Sequence, residues 1–333
     1  MLCANSAAES LRSPYTNDHG LPHSFLIRIY GSFAAPIFVF LAGFMVGIGT
    51  EKHPPVYFLK RALEILVVAA LIDFFIWRII PGTTFDVLYL TAFGIFITSL
   101  LLRANVSVRV IAMLICFALG PILQHFFGYR EGVDEFQRFP TADAPNPVVS
   151  GTAWWFRSWL IDGWFPVFPW LGFTIAGSLV YSHGAFFSTK WKMFFPLGIL
   201  FFLGGITWLY FHRPIADREG YSELFYPPGI AYLCAASGAI TIGVTMMQFL
   251  HPKKGLQLLR YLGSCSLFIY ITHSAIIAFV LDNYFTDYPL PKFLLLYACF
   301  AAAMIFLAWV LFVLKHKPSW KKVPKPVRFI FGG

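Results

Sequence analysis

Charge is what this sequence has least of. Only 12% of its 333 residues are Asp, Glu, Lys or Arg, about half of the ~25% that a soluble domain carries. With 58% hydrophobic residues and 38 phenylalanines, the chain cannot hide its apolar surface in one water-soluble core, which excludes a soluble enzyme or a nucleic-acid-binding domain. Paired cysteines are also missing. The five are Cys3, Cys116, Cys234, Cys265 and Cys299. None forms a CxxC pair and four sit in apolar runs, so they read as small buried hydrophobes rather than a disulfide or metal framework. No charged n-region followed by a cleavage site opens the chain. No internal repeat is visible, which weakens a transporter built on inverted halves.

What is present is a series of apolar runs, roughly at 30–48, 57–79, 85–102, 107–127, 163–182, 193–211, 228–250, 262–282 and 291–314. Each is long enough for a helix crossing a hydrocarbon layer of about 30 Å. In lipid every backbone polar group must be bonded internally. The expected fold is therefore all-α: a polytopic transmembrane bundle of about nine spans, forming one domain over 1–333.

The basic residues alternate between the gaps and flanks of these runs. Lys52, Lys60 and Arg61; Arg103 and Arg109; Lys190 and Lys192; Lys253, Lys254 and Arg260; and the C-terminal Lys315 to Arg328 all fall on one side of the threading. That side holds 16 of the 25 basic residues and a single acid, Glu51. The other side holds 9 bases and 13 of the 16 acids. Basic residues stay on the cytoplasmic face during insertion. The expectation is an outer N-terminal segment, 1–29, and a basic cytoplasmic tail, 315–333, that meets anionic lipid. The net charge of +9 is thus a topology signal and implies no nucleic acid.

Ionisable groups inside a span cost about 2.5–3.5 kcal/mol on insertion scales, so each needs a reason. Ser266, Tyr270 and His273 fall at i, i+4 and i+7 and share a helix face. They read equally as helix–helix glue or as a polar track lining a substrate path. Glu64 follows Arg61 by three residues, a local ion pair. Asp73 is deeper and should face the bundle or a wet cavity, paired with another helix. Asp86 opens the third run, either as an acid favoured by the helix dipole or as a carboxylate lining an outward cavity. Pro166 and Pro169 break the start of the fifth run, and Gly172 and Gly177 allow a neighbour to approach closely.

Two outer segments are long, 128–162 and 212–227. The first carries Trp154, Trp155 and Trp159, which suit either interface anchoring or stacking on a sugar ring. His19 and His23 lie in the outer N-terminal segment. The Gly-Leu-Pro between them argues against the helix that a metal pair at this spacing would need, so no metal is expected. A neutral imidazole is still a competent base or acyl acceptor. The opening Met1–Ala8, MLCANSAA, reads as the last turns of a helix whose beginning is missing.

The run RIYGSFAAPIFVFLAGFMVGIG at 28–49 resembles the signature of the heparan-α-glucosaminide N-acetyltransferase catalytic-domain family, especially its bacterial members. FLKRALEILVVAALIDF at 58–74, FDVLYLTAFGI at 85–95, FPVFPWLGFTIAGSL at 165–179, YPPGIAYL at 226–233 and LGSCSLFIYITHS at 262–274 are similar to later blocks, in order. The resemblance implies a multi-pass membrane acyltransferase, in a bacterial inner membrane, with a cytoplasmic C-terminus. Acetyl-CoA or another acyl-CoA would be co-substrate and no cofactor would be permanently bound. The acetyl group would pass to a sugar or glycan on the outer side.

The resemblance further implies an outer-loop histidine as catalyst, here His23 with His19 as competitor, and Asn5 as the nearby asparagine. Asp86 would orient the histidine or acceptor, while Asp73, Ser266, Tyr270 and His273 would line the path. Lys60 and Arg61 would meet the CoA phosphates. The lipid bilayer, acyl-CoA, the acceptor and a homo-oligomeric copy are the partners this allows. The family's opening helix, with its Arg-Gly pair, has no counterpart here. A small-molecule transporter, or an inactive membrane subunit lacking that helix, are the competing expectations.

Overall fold

A computed structural model describes residues 29, 31–129, 152–211, 224–247, 249, 257–281 and 290–331. Every element among them is helical. The chain divides into two units, Pro22–Phe249 and a second made of Met1–Leu21 with Leu250–Gly333.

In the larger unit the helices are α1 (Ala34–Thr50), α2 (Pro55–Ile72), α3 (Val87–Leu101), α4 (Val106–Phe127), α5 (Thr152–Arg157), α6 (Val167–Ser182), α7 (Gly184–Thr189), α8 (Trp191–Phe211) and α9 (Ile230–Met247). α2 and α5 each widen at their C-terminal end into a π turn, Asp73–Trp77 and Ser158–Asp162. α6 is the central helix and packs against α1, α3 and α4. Its side chains are buried on all faces, with Trp170, Phe173, Thr174 and Ile175 fully enclosed. A helix that is apolar all round belongs in the middle of a bundle.

The α1–α6 crossing depends on glycine. A Cβ on Gly43 would overlap the Thr174 carbonyl oxygen, and one on Gly177 would overlap the Phe40 carbonyl oxygen. Lipid supplies no hydrophobic drive between helices, so close backbone approach and van der Waals contact hold such a pair. The outer faces are apolar. Leu41, Met45, Val67, Leu71, Ile111 and Leu200 are exposed, while Thr98, Thr174 and Ser178 are buried. On α8 only Gly198 and Gly205 are buried. A polar-threaded interior inside an apolar sheath is what a hydrocarbon surrounding selects.

The second unit holds α10 (Gln257–Ser264), α11 (Ser266–Ile276, followed by a π turn, Ile277–Leu281), α12 (Leu290–Lys315), a 3-10 turn (Pro318–Lys322) and α13 (Lys325–Ile330). α10 packs on α12: the Tyr261 and Phe312 rings meet tilted at 52°, with centroids 4.7 Å apart, and the Lys315 ammonium donates to the Ser264 carbonyl at 2.6 Å.

Four helices are long and apolar enough to cross a membrane: Val106–Phe127, Trp191–Phe211, Ile230–Met247 and Leu294–Lys315. Two bent pairs raise the number to six, Trp155–Asp162 with Val167–Ser182 at 54° and Gln257–Ser264 with Ser266–Leu281 at 76°. The first bend coincides with Pro166 and Pro169, where Phe168 leaves helical geometry. α1 and α3 are apolar but shorter, and α2 carries Lys60, Arg61 and Glu64 within its length. Each of the nine apolar runs contains a helix among the described residues, but nine crossings are not established by length and composition.

Candidate functional site

The chain ends of the larger unit meet at two poles. At one pole Glu51, just after α1, accepts a hydrogen bond from Tyr181 near the end of α6. Arg109 at the start of α4 reaches Ser182 at the end of α6, and Trp191 opening α8 packs edge-on against Phe249 beyond α9. At the other pole Trp159 reaches the turn after α2, and Ser32 before α1 meets Leu224 and Tyr232. The first pole carries Lys52, Lys60, Arg61, Arg103, Arg109, Lys190 and Lys192. The second carries three buried aspartates, Asp73, Asp86 and Asp162.

Asp73 anchors the acidic pole. It ends α2 where the π turn begins, and its Oδ2 accepts from the Gly82 N–H at 3.0 Å and from the Tyr89 hydroxyl at 2.7 Å. Tyr89 belongs to α3, so one carboxylate ties the end of α2, the following turn and the next helix together. Bonds to a charged acceptor contribute about 1.5–3 kcal/mol each. The turn is sharply folded. Arg78, Gly82 and Phe85 all have positive φ, at 54°, 79° and 49°. Gly82 bears this at little steric cost, whereas an arginine and a phenylalanine do not, and such backbone persists where surrounding bonds over-determine it. Those bonds are present. Trp159 Nε1 donates to the Gly82 carbonyl at 2.7 Å, Trp164 N to Thr84 O and Phe165 N to Phe85 O, each at 2.9 Å.

Asp86 stands at the N-cap of α3, where its Oδ1 accepts from the Val87 N–H at 2.6 Å. Like Asp73, it is buried. Asp162 pairs with Arg157, Nε to Oδ2 at 2.6 Å. The same guanidinium donates to the carbonyls of Phe127 and Gly128, locking the end of α4. Around this polar floor Trp164, Phe165, Trp170, Phe225, Tyr226 and Tyr232 form an aromatic wall, with centroids between 4.5 and 6.1 Å apart. The pole can therefore hold buried carboxylates in fixed positions against rings. That arrangement suits orienting an imidazole or an acceptor hydroxyl or amine.

The residues expected from sequence separate into groups. Asp73 and Asp86 are both buried at the acidic pole, each with its own hydrogen-bond partners. His23, His19 and Asn5 lie outside the described residues. Lys60 is exposed at the basic pole, and Arg61 beside it pairs with Glu64 at 3.7 Å. Ser266, Tyr270 and His273 are on α11 of the other unit. Tyr270 and His273 meet edge-on at 5.1 Å, the His273 Nδ1 lies 3.0 Å from its own helix carbonyl at Ile269, and Ser266 is exposed. Among the described residues no cluster of His, Cys, Asp or Glu could hold a metal ion.

Tyr89, Arg157, Asp162, Ser32 and Tyr232 were not singled out from sequence. Nothing local in the sequence ties Tyr89 to Asp73, sixteen positions earlier.

Fold and site define a class, an integral membrane protein built as an α-helical bundle with one acidic, ring-lined pole and one basic pole. The family described as heparan-alpha-glucosaminide N-acetyltransferase, catalytic, matches residues 7–211. This is more than half of the chain, so the protein belongs to that family and is a membrane acetyltransferase-like protein. The match spans α1 to α8 and the histidine-bearing segment before them. Asn5, α9 and α11 fall outside it. No curated protein and no solved structure matches.

Proposed function

We propose that this protein is an acetyltransferase that takes an acyl group from acyl-CoA at its basic pole, on the cytoplasmic side. It delivers the group to a sugar or glycan acceptor at its acidic pole, on the outer side of what we take to be a bacterial inner membrane. The observation that carries this reading is the family match over 7–211. It includes both candidate histidines and both turns that form the acidic pole, 78–86 and 158–165.

His23, or His19 in its place, removes a proton from the acceptor amine or hydroxyl, or first carries the acyl group itself. The thioester C–S bond breaks, the new C–N or C–O bond forms, and the proton ends on the departing thiolate. Asn5 donates to the oxyanion that develops on the acyl carbon. Asp86 orients the histidine. Ser32, which lies at the acidic pole, is nine positions after His23, so even a fully extended chain keeps the two within about 30 Å. Lys60, with Arg61, meets the CoA phosphates, for which positive side chains are the natural partners.

Radiolabelled acetyl transfer in membranes from cells expressing His19→Ala or His23→Ala tests the assignment. The proposal expects one of the two to lose transfer. Full transfer in both removes these histidines from the chemistry. Substrate flux with no acyl-CoA requirement would favour a carrier instead.

A further inference from the structure

Arg109 is a buried cation in an unfavourable place. It lies in the first turn of α4, only 6% exposed. A helix N-terminus carries a partial positive charge, so a cation there is disfavoured. Burying a charge without a counter-charge is more costly still. The ion pairs among the described residues, Arg61 with Glu64 and Arg157 with Asp162, do not involve it. Its Nη1 donates to Ser182 Oγ at 2.8 Å, and that hydroxyl in turn donates to the Ser178 carbonyl at 3.0 Å. The Nε is buried with no hydrogen-bond partner.

The start of α4 has a second unmet demand. Its N-cap, Asn105, makes no side-chain capping bond, so the leading N–H groups lack the partner that such residues usually provide. Arg103, two residues earlier, is exposed. The buried guanidinium and the uncapped start belong to the same first turn of α4, and a second, exposed arginine stands two residues before that start. All three are satisfied by one thing, an anion with several acceptor oxygens.

We propose that Arg109, the α4 start and Arg103 form a binding site for a phosphate ester. The oxygens would come either from the phosphates of an acyl-CoA or from the headgroup of an anionic phospholipid. The site does not depend on the acetyl-transfer reading, because a lipid phosphate would occupy it in a protein with no transferase activity.

The test uses the full chain in lipid-free detergent, with coenzyme A as one probe and phosphatidylglycerol as the other, read by native mass spectrometry and by titration. The wild type should bind at least one of them, and Arg109→Gln should weaken that probe about tenfold or more, as expected when a charge-assisted contact is lost. Arg109→Lys should recover part of the loss, since a point charge remains but the fork does not. Which probe responds identifies the source. In ligand-free detergent Arg109→Met should melt no lower than wild type, because it removes an uncompensated charge.

Equal binding of both probes by wild type and Arg109→Gln, or no binding by wild type, overturns the proposal. So does a lowered melting point in Arg109→Met with unchanged probe binding, which would make Arg109 a structural partner of Ser182 only. If Arg109→Gln does not fold, Arg103→Gln decides. Weakened binding supports the site and unchanged binding overturns it.

Discussion

At the acidic pole of the larger unit almost every polar group is bonded inward. Asp73 holds Gly82 and Tyr89, Trp159 holds Gly82 from the other side, and Arg157 ties Asp162 to the end of α4. At the basic pole Lys52 and Lys60 are exposed, the Arg61–Glu64 pair is loose at 3.7 Å, and Arg109 is buried without a counter-charge. One pole is a rigid, pre-formed surface and the other a set of cations ready for an outside partner. Preorganised polar groups suit a reacting centre, whereas a cluster of cations suits capture of a charged ligand by attraction. The contrast agrees with an acceptor site at the first and a phosphate-bearing donor at the second.

Substitutions can break or sharpen this contrast. The seam joining the poles is the most sensitive. Gly177→Val places a branched side chain against the Phe40 carbonyl and should abolish monodisperse protein on size-exclusion chromatography, because overpacking a tight crossing typically costs about 1–3 kcal/mol and here the clash is with backbone. At the acidic pole, Asp73→Ala leaves the Gly82 N–H and the Tyr89 hydroxyl unsatisfied and should cost about 3 kcal/mol, seen as a lower melting temperature in detergent. Tyr89→Phe removes one bond and leaves the carboxylate with Gly82, so about 1 kcal/mol is expected. At the basic pole, Lys60→Gln should leave the melting temperature unchanged while raising the KM for acetyl-CoA several-fold. Glu64→Gln should shift stability by no more than about 0.5 kcal/mol, as for other exposed pairs. A large loss of stability from Lys60→Gln or Glu64→Gln, with a small one from Asp73→Ala, would reverse the comparison.

Helix positions were legible because hydrophobic length is a direct signal in a membrane protein. The kink near Pro169 was legible for the same kind of reason, since proline states its own geometry. The 76° bend at Cys265 was not, because no proline marks it and the run 262–282 reads as continuous. At the acidic pole Asp73 and Asp86 stood out as charges in apolar surroundings. Their partners did not. Tyr89 and Trp159 look like ordinary interface aromatics in sequence, and their hydrogen bonds to Asp73 and Gly82 join positions 16 and 77 residues apart. In sequence Arg109 is one more basic residue at the end of an apolar run. Only packing against α6 reveals that it is buried.

Sidedness is the premise on which donor, acceptor and both poles rest. In a cysteine-free background, Lys52→Cys and Arg78→Cys place one exposed thiol at each pole, to be labelled with a membrane-impermeant maleimide in intact and in disrupted cells. Arg78→Cys should label in both and Lys52→Cys only after disruption. Labelling of both thiols in intact cells, or of Lys52→Cys alone, would contradict the two-sided transfer.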